Sequence, residues 1–460
     1  MSRNCSPVIF VPGIGGSRLR NRNTGKVVWG NLETMFGDLQ KISLPDRDTD
    51  LIEATEVIDK IVIFCPFQTS FYGEIETFLC KNLSYARDKD LFFFCYDWRQ
   101  DCAVSAEKLK EYIGERYDQL GKKLTIVAHS MGGLIARYCT DCLEAHQYVD
   151  KIIALGTPHR GSPNALESLL KGACVFPGGF RRQETLKCLK TFPSAYQLLP
   201  TLGSKEVYIQ DDHMSPVDIF KELDWLGTKS EQSQYGSLVS NAKIFHDRLT
   251  KARSNSSGRL PTIYSVYGYG QHTLMQITVP RDDSNRWNLA SYFRNRNGDK
   301  TVPEDSAIFY RNPNQICPVS QPHGSIFNDK NAHAYLENLL CHANNRYQIT
   351  EGKSLLMVLN DCFLYEPEKI IRAFIGLVDE VGKLIQGVRF TLNLFTQERE
   401  IVSSVESPPP NTPESKLRPV DIGVPAQTGG YILQASVEPF REINPVEEYI
   451  GVKKLQELGQ

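Results

Sequence analysis

Ser130 stands in the run Ala128-His129-Ser130-Met131-Gly132-Gly133, directly after the apolar Leu124-Thr125-Ile126-Val127 and directly before Leu134-Ile135-Ala136-Arg137-Tyr138, which reads as a helix. A serine on a tight strand-to-helix turn presents its hydroxyl at the carboxyl end of a parallel strand, and small neighbours let the chain make that turn. The G-x-S-x-G form of such an elbow has glycine two residues before the serine. Ala128 takes that place here, and Gly132 follows two after. The residue type and its setting point to nucleophilic attack on an acyl carbon.

A seryl hydroxyl is a weak nucleophile at neutral pH and needs a base within hydrogen-bond reach and a carboxylate to orient that base. On strand-turn-helix scaffolds of this kind the partners follow in the order serine, acid, histidine. Asn297-Gly298-Asp299-Lys300-Thr301-Val302-Pro303 supplies an aspartate in a glycine turn, and Gln321-Pro322-His323-Gly324 a histidine in a loop before the final helix. Of nine histidines, only His323, His333 and His342 follow Asp299. His333 and His342 fall within the expected helix, which leaves His323 as the base. Asp283 and Asp305 lack the preceding glycine and are weaker acids for the role. His129, beside the serine, is expected to pack within the elbow.

The chemistry also needs two backbone N–H groups aimed at the developing oxyanion, one from the residue after the nucleophile and one from a loop after an early strand. Met131 supplies the first. Pro12-Gly13-Ile14-Gly15-Gly16-Ser17 can supply the second through Ile14, with Gly15 as the neighbouring alternative. This glycine turn has neither the lysine of a phosphate-binding loop nor a third glycine in dinucleotide register. Metal-type His and Cys spacings are missing as well, so neither a cofactor nor a metal is expected.

The elements that must position these residues follow from periodicity. Strands are predicted at Pro7–Pro12, Leu91–Asp97, Leu124–Ala128, Lys151–Gly156 and Thr262–Tyr267, with the sheet ending near Thr301–Pro303. Helical spacing marks Phe71–Lys81, Ser105–Leu120 and, after the acid, Asn331–Ala343. The pattern is that of a mostly parallel, doubly wound sheet. Residues 161–258, punctuated by Gly and Pro, read as a helical cap inserted over the sheet's carboxyl edge. Residues 1–350 then form a catalytic domain. Residues 351–460, with strands at Arg389–Phe395 and Tyr431–Ser436 around a Pro-rich exposed stretch Ser407–Pro419, form a small β-rich accessory domain.

Composition narrows the function. Fifty-two basic against 54 acidic side chains leave a net charge of −2 and no electrostatic case for nucleic acid. No apolar run is long enough to span a bilayer, and neither a leader nor an anchor is visible, so a cytoplasmic or peripheral membrane location is expected. The twelve cysteines are scattered. Cys139 and Cys142, on one helical face, are expected to pack in the core, and Cys174 and Cys188 could bridge in an oxidising compartment.

Val11–Leu19, Val28-Trp29, Tyr96-Asp97-Trp98-Arg99, the Ala128–Gly133 elbow, Leu155–Ser162 and Gly298–Pro303 together resemble the lecithin:cholesterol acyltransferase family of α/β-hydrolases over residues 7–345. The resemblance implies an α/β-hydrolase fold and a lipid-active acyl enzyme with Ser130, Asp299 and His323 as triad and Ile14 and Met131 as oxyanion donors. The partner would be a lipid ester at a membrane or micelle surface, cleaved through an acyl-serine that water or an alcohol such as a sterol releases. Trp29 would either stack near the substrate or serve as a buried anchor, and Asp97 and Arg99 would form a structural ion pair. Departures from the family are a missing disulfide-bounded lid after Trp29 and the extra residues 351–460. A catalytically silent lipid-binding or scaffold protein is the competing reading from another class.

Overall fold

The six strands of the central sheet are short, and most are apolar. Val8–Val11 and Leu124–His129 are buried along their whole length, as a parallel strand covered on both faces requires. The strand order is Ile316–Val319, Thr262–Gly268, Val149–Leu155, Leu124–His129, Val8–Val11, Leu91–Phe93, and every neighbouring pair runs parallel. Strand residues alternate between two cores. Ile9, Val11, Ile126 and Ile152 face the helices Cys102–Leu120 and Met131–Cys142, while Val8, Phe10, Val127 and Ile153 face Ile75 and the helix Lys330–Cys341. The chain is seen here in a computed structural model that describes residues 5–31, 39–44, 51–64, 67–70, 72–172, 182–201, 208–255, 260–341, 354–359, 364–378, 385–396, 399–407, 418–438, 440 and 445–452. This is the α/β-hydrolase fold.

The order of the strands decides where a ligand can bind. The chain lays Leu91–Phe93 on one side of Val8–Val11 and then returns to lay Leu124–His129 on the other, so the topology switches between Val8–Val11 and Leu124–His129. Crevices open at such switch points, outside the carboxyl ends of the strands. The turn Pro12–Ser17 and Ser130 both lie there.

Local signals hold where the sequence is emphatic. Asp101 caps the helix Cys102–Leu120 by accepting from the Ala103 amide at 2.7 Å, and Gly121 ends it in the left-handed conformation at φ 61°. Residues 73–82 are helical, as expected, but the α-helical turn Gly73–Thr77 widens into a π-helical turn at Phe78–Asn82. The sheet does not end near Thr301–Pro303. Those residues form a turn and helix cap, and the last strand is Ile316–Val319, whose Pro318 disguises it; an edge strand tolerates a proline that a central one would not. A small antiparallel sheet of Ser17–Asn21, Val27–Trp29 and Ile52–Val57 was also illegible, being rich in Arg, Glu and Asn.

After Val149–Leu155 come the helices Pro163–Lys171, Arg182–Leu189 and Pro193–Tyr196, and then the long helix Lys229–Asn255, which packs on Met131–Cys142 through Phe245 and Arg248 against Tyr138. A three-stranded sheet of Ile209–Asp211, Thr273–Val279 and Ser291–Asn295 pairs chain from within the expected insertion 161–258 with chain beyond it. In the C-terminal part, a three-stranded and a five-stranded sheet enclose one apolar core that includes Leu355, Ile375, Phe390, Leu392 and Leu433. Arg389–Phe395 and Gly429–Glu438 are central to it. At the end of the stretch expected to be an exposed loop, Arg418 and Pro419 begin an edge strand; residues 408–417 lie outside the described residues. Gln321, two residues before His323, donates from Nε2 to the Pro445 carbonyl at 3.3 Å and so ties the histidine loop to this β-rich part.

Cys5 and Cys341 form a disulfide across a sequence separation of 336 residues, joining the segment before the first strand to the end of the helix Lys330–Cys341. Cys139 is buried and Cys142 partly so, both in the helix after the elbow. Cys188 is buried in the cap, whereas Cys174 lies outside the described residues. Closing so long a loop restricts the unfolded chain, and we expect Cys341→Ser to lower stability by about 2–5 kcal/mol. Denaturant titration measures the loss, and mass spectrometry of the unreduced parent detects the bridged peptide.

Candidate active site

The elbow forces Ser130 to φ 54° and ψ −126°, a conformation that a residue with a side chain adopts only when the surroundings impose it. Its amide donates to the Leu155 carbonyl at 2.9 Å, and its carbonyl accepts from Gly133 at 3.0 Å. Glycine is required just beyond it. A Cβ at Gly132 would lie 2.5 Å from the Pro12 carbonyl and 2.6 Å from that of Val11, and one at Gly133 would strike Thr157. Ala128, fully buried, fits where glycine was expected. Because backbone rather than a flexible side chain is in the way, Gly132→Ala should cost about 1–3 kcal/mol or more. Thermal denaturation reads that loss directly.

Asp299 and His323 reach Ser130 from the loops after two successive strands. Asp299 follows Thr262–Gly268 by way of the cap hairpin, and His323 follows Ile316–Val319. His323 Nδ1 lies 2.7 Å from Asp299 Oδ2, and its Nε2 lies 2.9 Å from Ser130 Oγ. The other carboxylate oxygen accepts from the amides of Thr301 at 3.0 Å and Val302 at 2.7 Å, so the fully buried Asp299 is held from both sides. The His323 amide donates to the Asp299 carbonyl at 2.8 Å. This chain of bonds can pass the serine proton to the imidazole while the carboxylate keeps Nδ1 protonated.

The rival residues lie elsewhere. The ring of His333 stacks on Phe78, Asp283 Oδ1 accepts from the Asn285 amide, and Asp305 pairs with Arg311 at 3.0 Å; His342 is outside the described residues. Two glycines that the sequence did not single out make room for the acid and the base. A Cβ on Gly156, which sits at φ 59°, would lie 3.0 Å from Asp299 Oδ2 and 3.1 Å from His323 Nδ1, and one on Gly268 would overlap Asp299 Cβ. Each glycine closes its strand at the carboxyl end, a placement visible only once the strands are in register.

The turn Pro12–Ser17 is held by four aromatic side chains. Tyr96 donates from its hydroxyl to the Pro12 carbonyl at 2.8 Å, the Gly13 amide donates to Tyr72 Oη at 3.0 Å, Trp29 Nε1 donates to the Gly15 carbonyl at 2.8 Å, and Trp98 Nε1 donates to the Ser17 carbonyl at 3.0 Å. Gly13 and Ile14 of the turn both line the cavity beside Ser130, and with the Gly13 amide engaged by Tyr72 the next amide along the turn is that of Ile14; Gly15 faces Trp29 instead. Met131 begins the helix directly after the nucleophile. Trp29 is 1% exposed and packs edge-on against Trp98 with ring centres 5.1 Å apart. It stands behind the turn and not among the residues lining the cavity, so the expectation of a substrate contact gives way to the buried anchor. Asp97 and Arg99 form a two-pronged ion pair, with Arg99 also donating to the Ile42 carbonyl at 2.9 Å.

Burial governs the electrostatics around the serine. His129 is pushed well below the ordinary imidazole range by burial first and by the neighbouring His323 second, so it stays neutral. Burial raises the Tyr72 phenol and lowers Lys300, beside the acid, to about 8. Above Ser130 lies a cavity of about 280 Å³. Its apolar lining includes Ile14, Pro158 and Val302, together with Ala165, Leu189 and Leu198 from the helical stretch that follows Val149–Leu155. The predominantly apolar lining suits a hydrocarbon chain. Among the described residues no group of His, Cys, Asp and Glu is arranged to hold a metal ion, and no helix is long and apolar enough to cross a membrane.

The family model for lecithin:cholesterol acyltransferase matches residues 47–255, a span that includes Tyr96–Arg99, the elbow and Leu155–Ser162. Over that span, a little under half of its length, the chain is similar to the lecithin:cholesterol acyltransferase family. Phospholipase A(1) LCAT3 of Arabidopsis thaliana is 26% identical over 372 residues, covering 65% of this chain and 82% of that protein. Lecithin-cholesterol acyltransferase-like 4 of the same plant is 25% identical over 377 residues, covering 66% of this chain and 69% of that protein. A shorter match, 32% identical over 114 residues, links the chain to phosphatidylcholine-sterol acyltransferase of Gallus gallus across 27% of the latter. The segments Tyr96–Arg99 and Val28-Trp29, on which the resemblance partly rests, have a physical role here: three of their side chains clamp the turn that faces Ser130.

Proposed function

We propose that this protein is a serine-dependent lipid acyl-ester hydrolase, of the phospholipase A or lipase kind, working through an acyl-serine intermediate. The observation that carries the reading is His323 bridging Ser130 Oγ and Asp299 Oδ2 at 2.9 and 2.7 Å beneath an apolar cavity. Ser130 Oγ attacks the ester carbonyl as its proton passes to His323 Nε2. The carbonyl oxygen takes the negative charge, held by the Ile14 and Met131 amides, each worth about 3 kcal/mol of transition-state stabilisation. Collapse breaks the bond to the alcohol, which leaves with the proton from His323. Water, activated by the same imidazole, then releases the fatty acid.

The similarity to Phospholipase A(1) LCAT3 and the apolar lining both favour a lipid donor. At about 280 Å³ the cavity is at the lower end of ligand-sized pockets, commonly about 300–1,000 Å³, so one acyl chain would enter while the rest of the lipid stays at a membrane or micelle surface. The cap residues Leu189, Ala195 and Leu198 exclude water from one side of the site. That exclusion supports a second outcome, transfer of the acyl group to a sterol or other alcohol. The test is a lipid product profile from mixed phospholipids with and without an alcohol acceptor. Free fatty acid from the parent and not from Ser130→Ala supports hydrolysis, acceptor-dependent ester supports transfer, and equal products from both proteins overturn the assignment.

A further inference from the structure

Tyr72 and His129 are buried, polar and unused by the proton transfer, yet they reach both the glycine turn and the backbone of His323. Tyr72 Oη accepts from the Gly13 amide at 3.0 Å and lies 2.8 Å from His129 Nδ1; His129 Nε2 lies 3.0 Å from the carbonyl oxygen of His323. The protons can be assigned from the acceptors. A carbonyl can only accept, so Nε2 of His129 carries the hydrogen, and in a neutral ring Nδ1 must then accept from the Tyr72 hydroxyl. The hydroxyl in turn uses its lone pair for Gly13. Each donor faces an acceptor, which is what makes a buried network rigid.

The ends of this network matter more than its middle. Gly13 precedes Ile14, so holding the Gly13 amide fixes the peptide plane leading to the Ile14 N–H. His129 precedes Ser130 in the chain, and the carbonyl it binds belongs to His323 itself. The ring of Tyr72 packs against Phe10 at 5.0 Å and Phe327 at 5.4 Å, contacts that a phenylalanine would keep. The hydroxyl is therefore separable from the packing.

We propose that Tyr72 and His129 are positioning residues that lock the Ile14 amide, Ser130 and the backbone of His323 into one register, so that the oxyanion site and the base are preorganised together. The inference rests on the assignment of Ser130, His323 and Ile14 made above. Misplacing such groups by a fraction of an ångström is felt in the transition state and not in substrate binding.

The experiment is steady-state hydrolysis of p-nitrophenyl butyrate by the full chain and by Tyr72→Phe, His129→Leu, His129→Gln and Ser130→Ala, with a melting curve for each. Tyr72→Phe should lower kcat about 10- to 100-fold with KM nearly unchanged. His129→Gln, whose amide offers both an acceptor and a donor, should recover part of the kcat lost in His129→Leu. Parental kcat in Tyr72→Phe overturns the proposal, as does a loss confined to KM. A His129→Gln no faster than His129→Leu overturns the hydrogen-bonding role of His129. If His129→Leu does not fold, Tyr72→Phe decides alone. Undiminished turnover by Ser130→Ala would instead remove the assignment beneath it, which keeps the two failures distinct.

Discussion

Ser130→Ala is expected to lower kcat for ester hydrolysis by a factor on the order of 10⁶ and to abolish labelling by a fluorophosphonate, with little change in the melting temperature. Removing Oγ deletes the atom that would form the acyl bond, while water can replace the hydrogen bond that Oγ makes to His323 Nε2 at 2.9 Å. The strained φ of 54° is imposed by the Gly132 and Gly133 contacts, which alanine leaves in place. What activity remains would come from binding and from the amides facing the oxyanion. Active-site labelling together with initial rates measures both effects. Labelling of the alanine variant at the parent's rate would rule Ser130 out.

Asp299→Asn should lower kcat about 10⁴-fold and leave the fold intact. Oδ1 of Asp299 accepts from the Thr301 and Val302 amides, and Oδ2 faces His323 Nδ1 at 2.7 Å. An asparagine keeps its oxygen on the two amides and therefore turns its NH₂ group toward Nδ1. The imidazole must then carry its proton on Nε2, where it can no longer accept from Ser130. The geometry survives and the chemistry fails. Initial rates beside a melting curve separate the two, and an Asn variant within tenfold of the parent would show that the carboxylate does not orient the base.

Some of this was legible from short stretches of chain. The elbow is written in consecutive residues, Leu124 to Tyr138, because a buried strand, a sharp turn and an apolar helix each leave a local pattern. The glycine turn before Asp299 and the loop before the last helix are equally local, so Ser130, Asp299 and His323 could be picked out before their distances were known. Strand Ile316–Val319 was missed because its proline argues for a loop, and only its position at the edge of the sheet removes the objection. The role of Trp29 was left open for a related reason. An aromatic residue near a glycine turn suits a substrate or a core, and its indole N–H bond to Gly15 decides for the core.

The fold class, the candidate residues Ser130, Asp299 and His323 and their order along the chain were legible in the sequence by itself, since each depends on residues within about two turns of one another. Tertiary structure alone decided which atoms meet. The Tyr72–His129–His323 network joins positions 57 and 194 residues apart, Cys5 and Cys341 pair across 336, and Gly156 and Gly268 are needed only because two strand ends converge on Asp299. Such requirements arise from the register and packing of strands distant in sequence, so they leave no period or local motif to read.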